Sequence, residues 1–157
     1  MASNQALDKA EREILRILQL KGRVSNVELA EQIGLSESPC FRRTKNLEDS
    51  GVITGYSACL NQRLLGLQVT AFVQVSLDKQ SEKETLKFLT SVEREEHIVE
   101  CHAMSGSYDY LLKVVARSMD HFSELSMQRI LKFPGVKDME SHFSLQEIKL
   151  SQSLPLG

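Results

Sequence analysis

Apolar positions in this chain follow a helical period in its first third and a strand period soon after. Over residues 8–20, Ile14, Leu15, Ile17 and Leu18 form a wide helical stripe. Asp8 precedes the stripe and Glu11 lies three residues on, which predicts a capping box. Gly22 ends the segment. A second helix opens at Ser25, again with an acid three residues later, Glu28. Leu29, Ala30 and Ile33 carry its apolar face, and Gly34 supplies the left-handed stop. Leu35 follows as a plug. Ser36 is the next N-cap, and Pro39 falls in the first turn, where a missing N–H costs nothing. This third helix runs to about Ser50 and ends at Gly51. Val52, Ile53, Tyr56 and Leu60 then suggest a short strand or wing, interrupted at Gly55.

From Val69 the period becomes two. Val69, Ala71, Val73, Val75 and Leu77 share one face; Thr70, Phe72, Gln74 and Ser76 share the other. Ser81 and Glu84 form a further capping box, opening a helix buried through Leu86, Leu89 and Val92. A strand over 97–104, a tight loop at 105–107 and a strand over 108–116 follow. Ser118 caps a helix with Phe122, Leu125 and Ile130 inward, and Phe133-Pro134-Gly135 stops it. A last strand spans 136–148. The order is βαββαβ, so the fold class is α+β: an N-terminal winged helix-turn-helix domain and a C-terminal ferredoxin-like domain. The expected boundaries are 1–60, a linker at 61–68, 69–150, and a frayed or lightly packed tail at 151–157. The linker holds one glycine and no proline, which predicts a firm connection. With both helices on one sheet face, the other exposes Phe72, Val99, Cys101, Leu111 and Val115, or their neighbours if register slips by one. Such a face predicts a dimer joined sheet to sheet.

A helix, a glycine corner and a second helix is the helix-turn-helix pattern, whose second helix lies in the DNA major groove. The candidate DNA-contacting residues are Ser36, Ser38, Arg42, Arg43, Lys45 and Asn46. Cys40 and Leu47, seven apart, share the core face, and Ser38, Arg42 and Lys45 lie well away from it. Arg43 stands at the core edge and either reaches DNA or pairs with Glu28 or Glu48. A solvated helix of an ordinary bundle would carry similar charges; the caps, the corner glycine, Pro39 and the basic cluster together favour DNA.

The net charge of −2 over 157 residues does not advertise nucleic acid. Its distribution does more: residues 1–63 carry nine Lys/Arg against eight Asp/Glu, and residues 64–157 carry ten against thirteen. A local patch suffices, because affinity follows the phosphates neutralised. Three cysteines without a C-x-x-C give no disulfide framework. His97 and His102 are five apart on a strand and face opposite sides, so no metal site is expected. No run is long enough to span a membrane, and the polar start is unlike a signal peptide, which points to the cytosol. Phosphate-loop, nucleophile-elbow and metal motifs are absent, so no catalytic residues and no enzyme are expected. Glu93, Glu95, Glu96 and Glu100 read as a solvated helix end.

Several segments together resemble the Lrp/AsnC family of feast/famine transcription regulators, over nearly the whole chain. They are Leu7-Asp8, Ile14-Leu15, Gly22-Arg23, the run 26–36, Cys40-x-x-Arg43, Leu47-Glu48 and 51–56. Gly106-Ser107-Tyr108-Asp109-Tyr110, Phe133-Pro134-Gly135-Val136 and 143–149 extend the match. Glu11 stands where the family usually has Asp. The resemblance implies a homodimer assembling to an octamer, DNA that wraps or bends around it, and nucleoid association. It also implies an amino-acid effector, bound non-covalently with no other cofactor, and control of amino-acid metabolism genes. The effector site expected is Met104, Ser105, Gly106, Ser107, Tyr108 and Asp109. Physically, Asp109 suits an ammonium and the loop N–H groups suit a carboxylate. A plain hairpin turn or an inter-subunit role for Asp109 stays open. Met104, Leu111 and Leu112 favour a leucine- or methionine-like side chain. The alternative is an effector-independent architectural DNA-binding protein.

Overall fold

The computed structural model describes residues 7–78, 82–150 and 153–156. It divides into two compact units, residues 1–60 with 149–157, and residues 61–148.

The first unit holds three helices, α1 (Lys9–Lys21), α2 (Asn26–Ile33) and α3 (Glu37–Asp49). Asp8 and Glu11 form the expected capping box: the Glu11 N–H donates to Asp8 at 2.8 Å and the Asp8 N–H to Glu11 at 3.0 Å. Ser25 and Glu28 repeat it at α2. Gly34 takes φ 69°, and the Leu35 N–H closes back on the Ala30 carbonyl at 3.0 Å, which turns the chain into α3. The Asn26 side-chain amide ties the two helix starts by donating to the Glu37 carbonyl at 3.0 Å. Ile14, Leu15, Leu29, Ala30, Cys40 and Leu47 are buried together as the core.

The strand expected after α3 is missing. Residues 52–60 form no strand. A ladder needs a partner, and among the described residues none lies beside them. Ile53 instead packs on the helical core, its N–H donating to the Leu47 carbonyl at 3.0 Å. Of the two readings of the tail, residues 153–156 follow light packing and not fraying. The Gln19 side-chain amide pairs with the Leu154 backbone in both directions, at 2.6 and 3.3 Å. Arg12 donates to the Leu156 carbonyl at 3.4 Å, and the Leu156 side chain joins the core.

The second unit is a four-stranded antiparallel sheet in the order β2-β3-β1-β4. The strands are β1 (Val69–Leu77), β2 (Ile98–Ala103), β3 (Tyr110–Ala116) and β4 (Val136–Phe143). Helix α4 (Glu82–Arg94) connects β1 to β2. Between β3 and β4, α5 (Met119–Glu124) continues into a π-helical turn, Leu125–Arg129, and a 3₁₀ turn, Ile130–Lys132. Ser118 caps α5, accepting from the His121 N–H at 3.1 Å. Both helices cover one face, where Phe88, Val92, Phe122, Leu125 and Ile130 meet Ala71, Val73, Val75, Leu112 and Val114. This is the expected ferredoxin-like arrangement. Residues 61–67 form a turn held by the Gln62 side chain, which donates to the Leu67 carbonyl and to Thr70.

The differences are local. Leu86 is 58 % exposed, and Phe88, which the spacing passed over, is wholly buried. Cys101 pairs with Leu112 and so lies on the core face, not the open one. β4 stops at Phe143, well short of 148. Glu95 is buried, where the acidic run was read as solvated: its carboxylate accepts from Arg129 at 2.9 Å and lies 3.0 Å from His97 Nδ1. Buried charge persists only when it is paired in this way. The Ser81–Glu84 cap lies outside the described residues.

Candidate DNA-binding face and ligand loop

Helix α3 buries Cys40 and Leu47 and leaves Ser36, Ser38, Arg42, Lys45 and Asn46 exposed. Ser36 stands at the N-cap in extended conformation, but its hydroxyl makes no cap bond. Among the described residues no acid pairs with Arg42. Lys45 is tied along its own helix, 2.9 Å from Asp49 and 3.8 Å from Glu48, and these contacts raise its pKa, the Asp49 hydrogen bond foremost. Exposed pairs of this kind are weak and screened by salt, so phosphate can displace them.

Arg43 is placed differently. It pairs with Asp8 and lies 3.9 Å from Glu11, not with Glu28 or Glu48. It therefore braces α3 against the start of α1. Asp8 is held below its ordinary value, chiefly by the Glu11 backbone N–H and further by Arg43. Tyr56 donates to Glu48 at 2.9 Å, and burial together with that carboxylate pushes its hydroxyl pKa up to about 12.

The β2–β3 loop is anchored at the end of the sheet. Met104 donates to the Asp109 carbonyl at 2.8 Å, and the Asp109 N–H donates to Val75 at 2.9 Å. One carboxylate oxygen of Asp109 accepts from the Leu77 N–H at 2.7 Å. That bond is structural, and it leaves the second oxygen, Oδ1, for another donor. Gly106 has φ 127°, a conformation that a side chain would strain. Ser105, Gly106 and Ser107 are exposed and Tyr108 is half-buried. Asp78 donates to Gly135 at 2.9 Å, so the turn that ends the 3₁₀ segment reaches the same edge. Among the described residues no three metal-ligating side chains cluster, and no helix is long and apolar enough to cross a membrane.

A helix-turn-helix unit whose second helix exposes Arg42 and Lys45, joined to a ferredoxin-like unit with a built loop, defines a DNA-binding regulator with a sensor domain. The two units match separate family models: residues 7–54 a winged helix-turn-helix DNA-binding domain, and residues 70–154 the Lrp/AsnC ligand binding domain. The leucine-responsive regulatory protein of Escherichia coli K12 is 40 % identical over 148 residues, 94 % of this chain and 90 % of that protein. Among solved structures, a Neisseria meningitidis transcriptional regulator in complex with L-methionine superposes with a TM-score of 0.92 at 41 % identity. It covers 96 % of this chain and 97 % of its own. An AsnC family regulator from Agrobacterium tumefaciens gives 0.89 at 34 % identity, with 96 % and 97 % covered. The chain belongs to the Lrp/AsnC family of transcription regulators. It is accordingly a DNA-binding transcription regulator with a ligand-binding domain, and not an enzyme.

Proposed function

We propose that the chain represses or activates genes of amino-acid metabolism in response to an apolar L-amino acid, of the leucine or methionine class. In this reading Ser36, Ser38, Arg42, Lys45 and Asn46 face the major groove and its phosphates, and Arg43 positions α3 from behind. The DNA-binding domain is residues 1–60, and residues 61–68 link it to the effector domain. The effector domain takes in 69–150 and binds at Met104 to Asp109. The free Asp109 oxygen accepts from the effector ammonium, and the N–H groups of 105–107 receive its carboxylate. Homodimers form through the open sheet face and assemble to octamers, in the cytoplasm and on the nucleoid. The observation that carries the reading is the exposed, acid-free Arg42 on the helix that a capped corner presents. Support for the effector class comes from the methionine-bound Neisseria relative and the leucine-responsive one.

The test is DNA binding by wild type and Arg42→Ala over a salt series, with and without millimolar leucine or methionine. Arg42→Ala is expected to bind more weakly and to lower the salt slope by about one. One of the two amino acids is expected to shift wild-type affinity about 5- to 150-fold. Equal binding by both proteins removes α3 from the groove. Indifference to both amino acids removes the leucine/methionine assignment.

A further inference from the structure

One residue on the outward face of α3 is neither charged nor polar. Phe41 is 61 % exposed, the most exposed of the six phenylalanines in the chain. At 3.6 residues per turn it lies about 40° from Lys45, about 60° from Ser38 and about 100° from Cys40. The ring is thus on the side of Ser38, Arg42 and Lys45, and Cys40 and Leu47 face the core instead. The other rings of comparable size are accounted for: Phe88 and Phe122 are buried, Phe133 and Phe143 stack against them, and Phe72 lies on the open sheet face. Nothing in the helical core calls for an aromatic group at position 41.

The major-groove floor offers polar edges at every base pair and one apolar group that protrudes, the C5-methyl of thymine. An exposed aromatic ring on a groove-facing helix, beside Ser38 and Lys45, is complementary to that methyl. We propose that Phe41 is a specificity-determining residue that reads a thymine methyl in each operator half-site. This rests on α3 being the groove helix. Phe41 also borders a groove of about 910 Å³ lined by Leu18, Leu20, Leu29 and Tyr56. A protein contact there is the competing role. Leu20 and Tyr56 of that groove are themselves exposed, and what favours DNA is the place of Phe41 on α3, within about 60° of Ser38 and Lys45 and away from Cys40 and Leu47.

The experiment starts from duplexes that the wild-type protein selects from a random-sequence pool. Each thymine of a selected duplex is then replaced in turn by deoxyuridine, which deletes only the methyl. Wild type is expected to lose about fourfold in affinity at one or two positions per half-site, the worth of one buried methyl-sized group. Phe41→Ala is expected to bind the thymine duplex more weakly and to be indifferent to uridine at those positions. The proposal is overturned if wild type ignores every replacement, or if Phe41→Ala keeps the same uridine penalty. It is also overturned if Phe41→Ala binds DNA as wild type but sediments at a different mass, which assigns the ring to a protein contact. Arg42→Ala separates the two levels. If it too binds normally, α3 is not the DNA helix; if it binds weakly while uridine stays silent, only the role of Phe41 fails.

Discussion

At the residue scale, Asp109 has one structural task and one proposed task, and a single substitution can separate them. One oxygen holds the Leu77 N–H, and the other is free for an effector ammonium. Asp109→Asn keeps an acceptor and removes the charge. It is expected to unfold near the wild-type temperature without ligand but to lose the stabilisation that methionine or leucine gives wild type, several degrees at high saturation. Asp109→Ala removes both and is expected to cost about 1 kcal/mol of stability as well. Thermal unfolding of the three proteins with and without each amino acid decides it. Asp8 makes a second residue-level prediction. Its native pKa lies below the ordinary 3.8, so it stabilises the fold above that value and the contribution fades as pH falls through the native one. Asp8→Asn keeps a good cap without the titrating charge. Its urea midpoint is therefore expected to fall less steeply than that of wild type below about pH 4.

Elements differ in how far the sequence announced them, and the difference follows range. The caps at Asp8, Ser25 and Ser118 were legible because donor and acceptor lie three residues apart. The outward face of α3 was legible from the Cys40–Leu47 spacing. The ferredoxin order was legible from the change of period at Val69. What failed depends on distant partners. Residues 52–60 have strand composition but no neighbour to pair with. In α4, Leu86 and Phe88 are about 200° apart, and both cannot be buried; the sheet face took the larger ring. Arg43 had acids nearby in sequence and chose Asp8, from the start of α1. Nothing local announced that Gln19 would bind the backbone of Leu154. That contact makes the C-terminal segment part of the first unit. Deleting residues 153–157 is expected to lower the stability of that unit by about 1–3 kcal/mol and to leave the second unit unchanged. Calorimetry that resolves the two transitions checks it. Equal loss in both units, or none, contradicts the assignment.

At the scale of the whole molecule, the open sheet face is the proposed dimer seam. Phe72 pairs with Lys113 on one side and His142 on the other, and Lys113 reaches Glu100 at 2.8 Å. The result is an apolar centre of Phe72 and Leu111 with charged side chains around it. Phe72→Glu places a carboxylate at that centre, where burial without a partner is costly. The variant is expected to sediment as a monomer where wild type is a dimer or larger, and to lose cooperative binding to paired half-sites. An unchanged sedimentation profile would place the dimer elsewhere. The discontinuity of the first unit has a further consequence, for synthesis. Domains tend to fold in the order in which the ribosome delivers them. Here the helix-turn-helix segments emerge first, yet their packing is complete only when Leu156 arrives. Translation halted between residues 148 and 153 therefore yields a subunit with a whole sensor unit and an unfinished DNA-binding one. In the sheet-to-sheet dimer proposed above, such a product would keep its pairing face and would be expected to join intact chains and weaken their DNA binding, which co-expression with the full chain tests.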